Sequence, residues 1–156
     1  MKFFKFALIA VVAMFCASSC SKSSGEEELT GYIKASAATF KSYIDNDSLP
    51  QILDTRSASD YAQGHIPGAV NIDASNAATW ASDNGEFMTK VKAQFKTSKK
   101  IYVYGTSGWS AVGMSLPGRI ANTWGKPNTI NLESGFEGWE SAGFDVEKYS
   151  QPLKTP

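Results

Sequence analysis

The clearest apolar run after the first thirty residues is Ile101-Tyr102-Val103-Tyr104, bracketed by Lys99-Lys100 and Gly105. Its β-branched and aromatic content predicts a strand. Gln51-Ile52-Leu53 predicts a short buried strand ending at Asp54, and residues 69–72 and 129–132 predict two more. Between these runs the apolar spacing changes to every third or fourth position, the helical period. Ser36 is placed to cap a helix carrying Phe40, Tyr43 and Ile44. Residues 59–63 form a short helical turn stopped by Gly64, and residues 86–95 place Phe87, Val91 and Phe95 on one stripe. Another helix begins over residues 109–114. Pro117 predicts a kink or a fresh start there, because a helix-interior proline loses a hydrogen bond and clashes with the preceding turn. Residues 136–141 form a last short helix closed by Gly143. Strands alternating with helices predict an α/β fold with a mostly parallel sheet covered on both faces. There is no internal repeat, and 156 residues suit about one domain.

The first thirty residues follow a different pattern. Lys2 and Lys5 precede an unbroken apolar run over residues 6–17. That run is shorter than the roughly 20 residues a membrane-spanning helix needs, but it suits the apolar region of a signal peptide. It ends in Ala17-Ser18-Ser19-Cys20, which resembles the lipobox of bacterial lipoproteins, although that family usually has Leu at the position of Ala17. The resemblance implies cleavage before Cys20, with acyl chains on its thiol and new amine. Two or three chains would anchor the protein stably where one would not. The expected organisation is a signal peptide over 1–19, a lipidated Cys and flexible tether over 20–34, a folded domain over 35–150 and a tail over 151–156. The polar stretch SKSSGEEE spans roughly 16 Å as a flexible chain. The expected location is the bacterial cell envelope, as an outer-membrane lipoprotein with either face of that membrane open. Glu26, Glu27 and Glu28 resemble, weakly, an acidic surface-export signal, and Ser21 is not the Asp that typically retains lipoproteins in the inner membrane.

Charge and composition narrow the chemistry. The chain has 15 basic and 15 acidic residues, so it carries no basic footprint for nucleic acid. One histidine and two cysteines leave little for a transition-metal site and too little for a disulfide framework. No metal or cofactor is expected. Both cysteines, Cys16 and Cys20, fall in the leader region, and no thiol follows.

Four stretches carry a family resemblance. Ile52-Leu53-Asp54-Thr55-Arg56 is an apolar strand ending in Asp-x-Arg, and Tyr61-Ala62-Gln63-Gly64-His65-Ile66-Pro67-Gly68-Ala69 follows shortly after. The strand at 101–104 leads into a Gly/Ser loop and a helix. Asn131-Leu132-Glu133-Ser134-Gly135-Phe136-Glu137-Gly138-Trp139 precedes Ala142-Gly143. Together they resemble a single rhodanese-homology domain running from about Ser36 to Glu147. The resemblance implies a five-stranded parallel sheet with helices on both faces.

The residues support structural roles for most of these motifs. Asp54 and Arg56 can pair across a turn. Pro67 presets φ and Gly68 permits a positive φ, so His65 to Gly68 forms a tight turn that His65 locks by hydrogen bonding. Gly135 allows a sharp bend before the last helix, and Trp139 fills the core beneath it.

Family members that move sulfur use a six-residue loop after the central strand. A Cys at its start forms the persulfide and an Arg commonly ends it. Here the loop is Gly105, Thr106, Ser107, Gly108, Trp109 and Ser110. Glycine stands at the Cys position and serine at the Arg position. The related phosphatase loop, one residue longer, also fails, with Ala111 at its Arg position. A hydroxyl nucleophile from Thr106, Ser107 or Ser110 needs an adjacent base, and His65 belongs to another turn. The glycine spacing of 108–115 imitates a phosphate-binding P-loop, but Met114 stands where its Lys must be. The expectation is a membrane-anchored, rhodanese-like protein without sulfurtransferase activity, whose 105–110 loop binds a small anion, a peptide or a partner protein. Trp109 would either fill the vacated pocket or present a ring at its mouth. The alternatives are altered chemistry on the loop hydroxyls, or a glycan-binding envelope scaffold using Trp80, Trp109 and Trp124.

Overall fold

The computed structural model describes residues 31–107 and 111–148. The leader, Cys20, most of the tether, Gly108, Trp109, Ser110 and the tail lie outside the described residues.

The elements run β1 (Ile33–Ala35), α1 (Ala37–Asp45), β2 (Ile52–Asp54), α2 (Ala58–Gln63), β3 (Val70–Asn71), α3 (Ala77–Trp80), α4 (Glu86–Gln94), β4 (Ile101–Tyr104), α5 (Ala111–Trp124), a 3-10 turn (Lys126–Asn128), β5 (Thr129–Leu132) and α6 (Gly135–Ser141). The five strands form one parallel sheet in the order β1-β5-β4-β2-β3. Every residue of β2, β4 and β5 is buried, as a parallel sheet covered on both faces requires.

Alternation along β4 divides the core. Tyr102 and Tyr104 face a cluster with Phe40 of α1 and with Phe136 and Trp139 of α6. Ile101 and Val103 face the other cluster, with Phe87, Met88 and Val91 of α4 and Leu116, Ile120 and Trp124 of α5. The helix caps follow from the residues. Ser36 accepts from the Thr39 amide, and Ser57 accepts from the Asp60 amide.

The structure departs from the sequence expectations in four places. The helix expected to break at Pro117 is one element, Ala111–Trp124. Leu116 lies on one side of the proline, Ile120 and Trp124 on the other, and all three are buried in one cluster. Each such side chain contributes about 1.5–3 kcal/mol, which together offset the roughly 3 kcal/mol that an interior proline costs. The sheet begins at Ile33, inside the stretch assigned to the tether. This strand has three residues, one of them Lys34, too few to stand out by period. The strand expected over 69–72 is reduced to Val70–Asn71. The short helix α3 was not foreseen; Asn76 caps it. Among the described residues no helix is long and apolar enough to cross a membrane.

Candidate functional site

A parallel sheet collects the loops that follow its strands along one edge, and ligands of open α/β sheets bind outside those carboxyl ends. Here that edge holds the 105–107 segment after β4, Thr55 and Arg56 after β2, Asp73 after β3, and Glu133 and Ser134 after β5.

Gly105 is buried directly after the central strand. Among the described residues, a Cβ placed on it would meet only the Thr55 hydroxyl, at 3.4 Å, an ordinary van der Waals contact. Among the described residues, the position therefore accepts a Cβ that the chain does not supply. Thr55 is held in place by two bonds to one acceptor: its amide (3.0 Å) and its hydroxyl (2.8 Å) both donate to the Tyr104 carbonyl. The Phe136 amide donates to the Gly105 carbonyl at 2.8 Å, and the Glu137 amide donates to the Thr106 carbonyl at 3.1 Å. The first turn of α6 thus clamps the start of the loop.

Gly135 makes that clamp possible. It has φ +63°, and a Cβ there would stand 2.6 Å from the Ser107 Cα and 2.6 Å from the Thr106 carbonyl oxygen. The sequence shows the need for a bend at Gly135. It does not show the approach to residues 106 and 107, which depends on β5 lying beside β4.

Asp54 and Arg56 form a buried pair, as expected. The Arg56 Nη2 donates to Asp54 Oδ2 at 2.6 Å, Nε lies 3.1 Å from both carboxylate oxygens, and the Arg56 amide donates to Oδ1 at 2.8 Å. Nη2 also donates to the Gly64 carbonyl at 2.6 Å, and the guanidinium lies over the Phe136 ring, 3.8 Å from its centroid. Arg56 therefore joins β2, the end of α2 and the start of α6. Burial pulls its pKa down, but the hydrogen bond and charge of Asp54 outweigh that, so it rests above its ordinary value. Tyr104 accepts from the Ile66 amide at 3.1 Å, and burial, with the Asp54 charge next, pushes its phenol well above its ordinary range. Asn71 completes the network by donating to the carbonyls of Asp54 and Arg56.

His65 is 3% exposed and stacks on Tyr61 with ring centroids 3.7 Å apart. Its Nδ1 lies 2.9 Å from the Tyr61 carbonyl, which can only accept, so Nδ1 carries the proton. Its backbone exchanges two hydrogen bonds of 2.9 Å with Glu147, tying the end of the domain to the turn. The Ala69 amide donates to the Ile66 carbonyl across Pro67 and Gly68, and Gly68 takes φ +77°. This is a type II turn with proline and glycine at the positions that favour them. His65, Pro67 and Gly68 thus hold a turn, as the sequence indicates. Trp139 is 1% exposed, and its indole donates to the Asp145 carbonyl at 2.9 Å.

Two of the rings considered for sugar stacking are otherwise engaged. Trp124 is 3% exposed with its indole bonded to the Lys96 carbonyl, which removes it as a binding surface. Trp80 is half-buried against the α4–α5 cluster and bonds the Ala74 carbonyl. Among the described residues no group of His, Cys, Asp and Glu is arranged to hold a metal ion.

The covered parallel sheet, the Asp-x-Arg pair at a strand end and the clamped loop after the central strand define an α/β domain of one architecture. A family model for the rhodanese-like domain matches residues 36–142, and the chain belongs to that family. Solved structures agree on the fold. A rhodanese-related protein from Thermoplasma volcanium is 20% identical, with TM-score 0.56 over 74% of this chain and 98% of its own. A rhodanese-like domain protein from Staphylococcus aureus is 18% identical, with TM-score 0.55 over 75% and 98%. A thiosulfate sulfurtransferase from Pseudomonas aeruginosa is 19% identical, with TM-score 0.52 over 76% of this chain but 21% of its own. No curated protein matches the sequence.

Proposed function

We propose that this rhodanese-like domain is a binding module without thiosulfate sulfurtransferase activity, held at the bacterial cell envelope through lipidated Cys20. One observation carries the catalytic part. The position after the central strand is glycine, and no thiol occurs after Cys20. Persulfide chemistry needs a thiolate as nucleophile. The loop hydroxyls have no adjacent base: His65, the only histidine, precedes β3 at the sheet edge opposite the loop, with Nδ1 on the Tyr61 carbonyl, its backbone paired with Glu147 and Nε2 3.7 Å from the Glu147 carboxylate.

Of the ligand classes open to such a loop, a peptide or partner protein fits the surroundings better than a small anion. Asp73, Glu133 and Glu137 are exposed along or beside this sheet edge, and Arg56 is buried and paired. An approaching anion meets carboxylates, whereas a basic peptide is attracted. The test is twofold. The purified protein, given thiosulfate and cyanide, should release no thiocyanate; measurable turnover refutes the reading. Mass analysis of the amino-terminal peptide should show acylated Cys20; a free thiol there refutes the anchoring.

A further inference from the structure

The opposite edge of the sheet, where the strands begin, carries a different surface. Lys99 and Lys100 immediately precede β4, Lys96 stands five residues before it, and Lys126 stands three residues before β5. They form one patch. The Gln51 side chain donates to the carbonyls of both Lys96 and Lys100, and Trp124, two residues before Lys126, bonds the Lys96 carbonyl. Lys96, Lys100 and Lys126 are exposed. Of the acids on this edge, Asp45 pairs with Lys41, Asp47 accepts from the Tyr102 hydroxyl at 3.0 Å, and Glu147 lies by the His65–Gly68 turn ahead of β3, the far strand of the sheet.

The same edge holds the two large hydrophobic side chains exposed among the described residues, Leu49 at 65% and Tyr43 at 39%. Tyr43 lies near the end of α1, and Leu49 lies in the loop entering β2. The Lys100 ammonium stands 5.9 Å from the Tyr43 ring centroid. Exposed apolar side chains among lysines are the composition of a surface that rests on anionic lipid. A third observation comes from the chain path. The chain enters the domain at Ile33, and β1 is parallel to its neighbours, so the amino-terminal segment reaches the sheet at this edge.

We infer that the edge bearing Leu49, Tyr43, Lys96, Lys100 and Lys126 lies against an anionic phospholipid surface, turning the 105–107 segment outward. The lysines supply attraction to headgroups, and Leu49 and Tyr43 enter the interface. The acids Asp73, Glu133 and Glu137 then face away from the membrane, so the molecule's charge asymmetry favours one orientation. The orientation deepens the envelope reading through the point of chain entry, but the lysine and leucine surface stands without it.

The experiment uses the full chain, processed in a bacterial host and reconstituted into phosphatidylethanolamine vesicles with or without phosphatidylglycerol. A fluorophore is attached at Leu49→Cys or, on the opposite edge, at Glu133→Cys, and quenched by labelled headgroups. The label at 49 should be quenched strongly in phosphatidylglycerol vesicles and the label at 133 should not. Neutralising Lys96, Lys100 and Lys126 to Gln should abolish that contrast and weaken vesicle binding of non-acylated chain about fivefold per lysine. Equal quenching at the two positions overturns the proposal, as does a triple variant that retains the contrast. If the lysines instead serve Glu26, Glu27 and Glu28, the triple variant loses thermal stability without changing the quenching, which also overturns it. A free Cys20 in the mass spectrum refutes the anchoring separately; the contrast is then read with Cys20→Ser in both chains added to vesicles from solution.

Discussion

Substituting Gly135 by Ala tests how the loop is held. The residue has φ +63°, and a left-handed conformation costs an L-residue about 1–2 kcal/mol. The added methyl also meets backbone atoms at 2.6 Å, the Ser107 Cα and the Thr106 carbonyl. Backbone cannot rotate away as a side chain can, so α6 and residues 105–107 must separate. That movement loosens the Phe136-to-Gly105 and Glu137-to-Thr106 hydrogen bonds, each worth about 0.5–1.5 kcal/mol net. The expected loss is therefore about 2–5 kcal/mol.

Gly68→Ala is the control. Gly68 has a similar φ, +77°, but no atom within 4 Å of its Cβ position, so only the left-handed cost applies. The reduction of unfolded-state freedom by alanine is common to both and cancels in the comparison. Urea unfolding should place Gly135→Ala about 1–3 kcal/mol below Gly68→Ala. Hydrogen exchange should show lost protection at the amides of Phe136 and Glu137. Equal losses in the two variants, with those amides still protected, would refute the clamp.

Arg56→Met should cost about 3–5 kcal/mol in urea unfolding, because it leaves the Asp54 carboxylate buried without its partner; a loss below about 1 kcal/mol would show that the pair does not organise this edge. Gly105→Ala should change stability by less than about 1 kcal/mol, since the Cβ finds only an ordinary contact with Thr55. Gly105→Cys with Ser110→Arg should then yield thiocyanate from thiosulfate and cyanide if the loop keeps its family shape; a folded, silent double variant counts against that shape. Tyr102 and Tyr104 have phenols raised above the ordinary value of 10.0, so their contribution to stability is full below about pH 10 and is lost as pH rises further, at about 1.4 kcal/mol per pH unit for each. Tyr102→Phe should flatten that alkaline slope in thermal melts, and an unchanged slope would exclude its phenol as a cause.

The motifs were legible where local chemistry and tertiary role coincide. The Asp54–Arg56 pair, the His65 to Gly68 turn and the helix capped by Ser36 need only neighbours within a few residues, so spacing shows them. What spacing cannot show is which strands lie side by side. Thr55 touches the Gly105 position because β2 pairs with β4, and Gly135 touches Ser107 because β5 pairs with β4. The first joins residues 50 apart in number and the second residues 28 apart. Pro117 illustrates the reverse case. Its local rule is sound, but the burial of Leu116, Ile120 and Trp124 outweighs it.

These motifs stand on a folded domain that contains no cysteine after Cys20. Arg56 spends its donors on Asp54 and Gly64 and its face on Phe136. Phe136 and Glu137 spend their amides on the loop carbonyls, and His65 binds the end of the domain to its turn. None of these contacts requires a nucleophile at position 105; all of them set where the backbone at 105–107 sits. With glycine at position 105 all of these contacts are made, so the backbone at 105–107 is held without a side chain there.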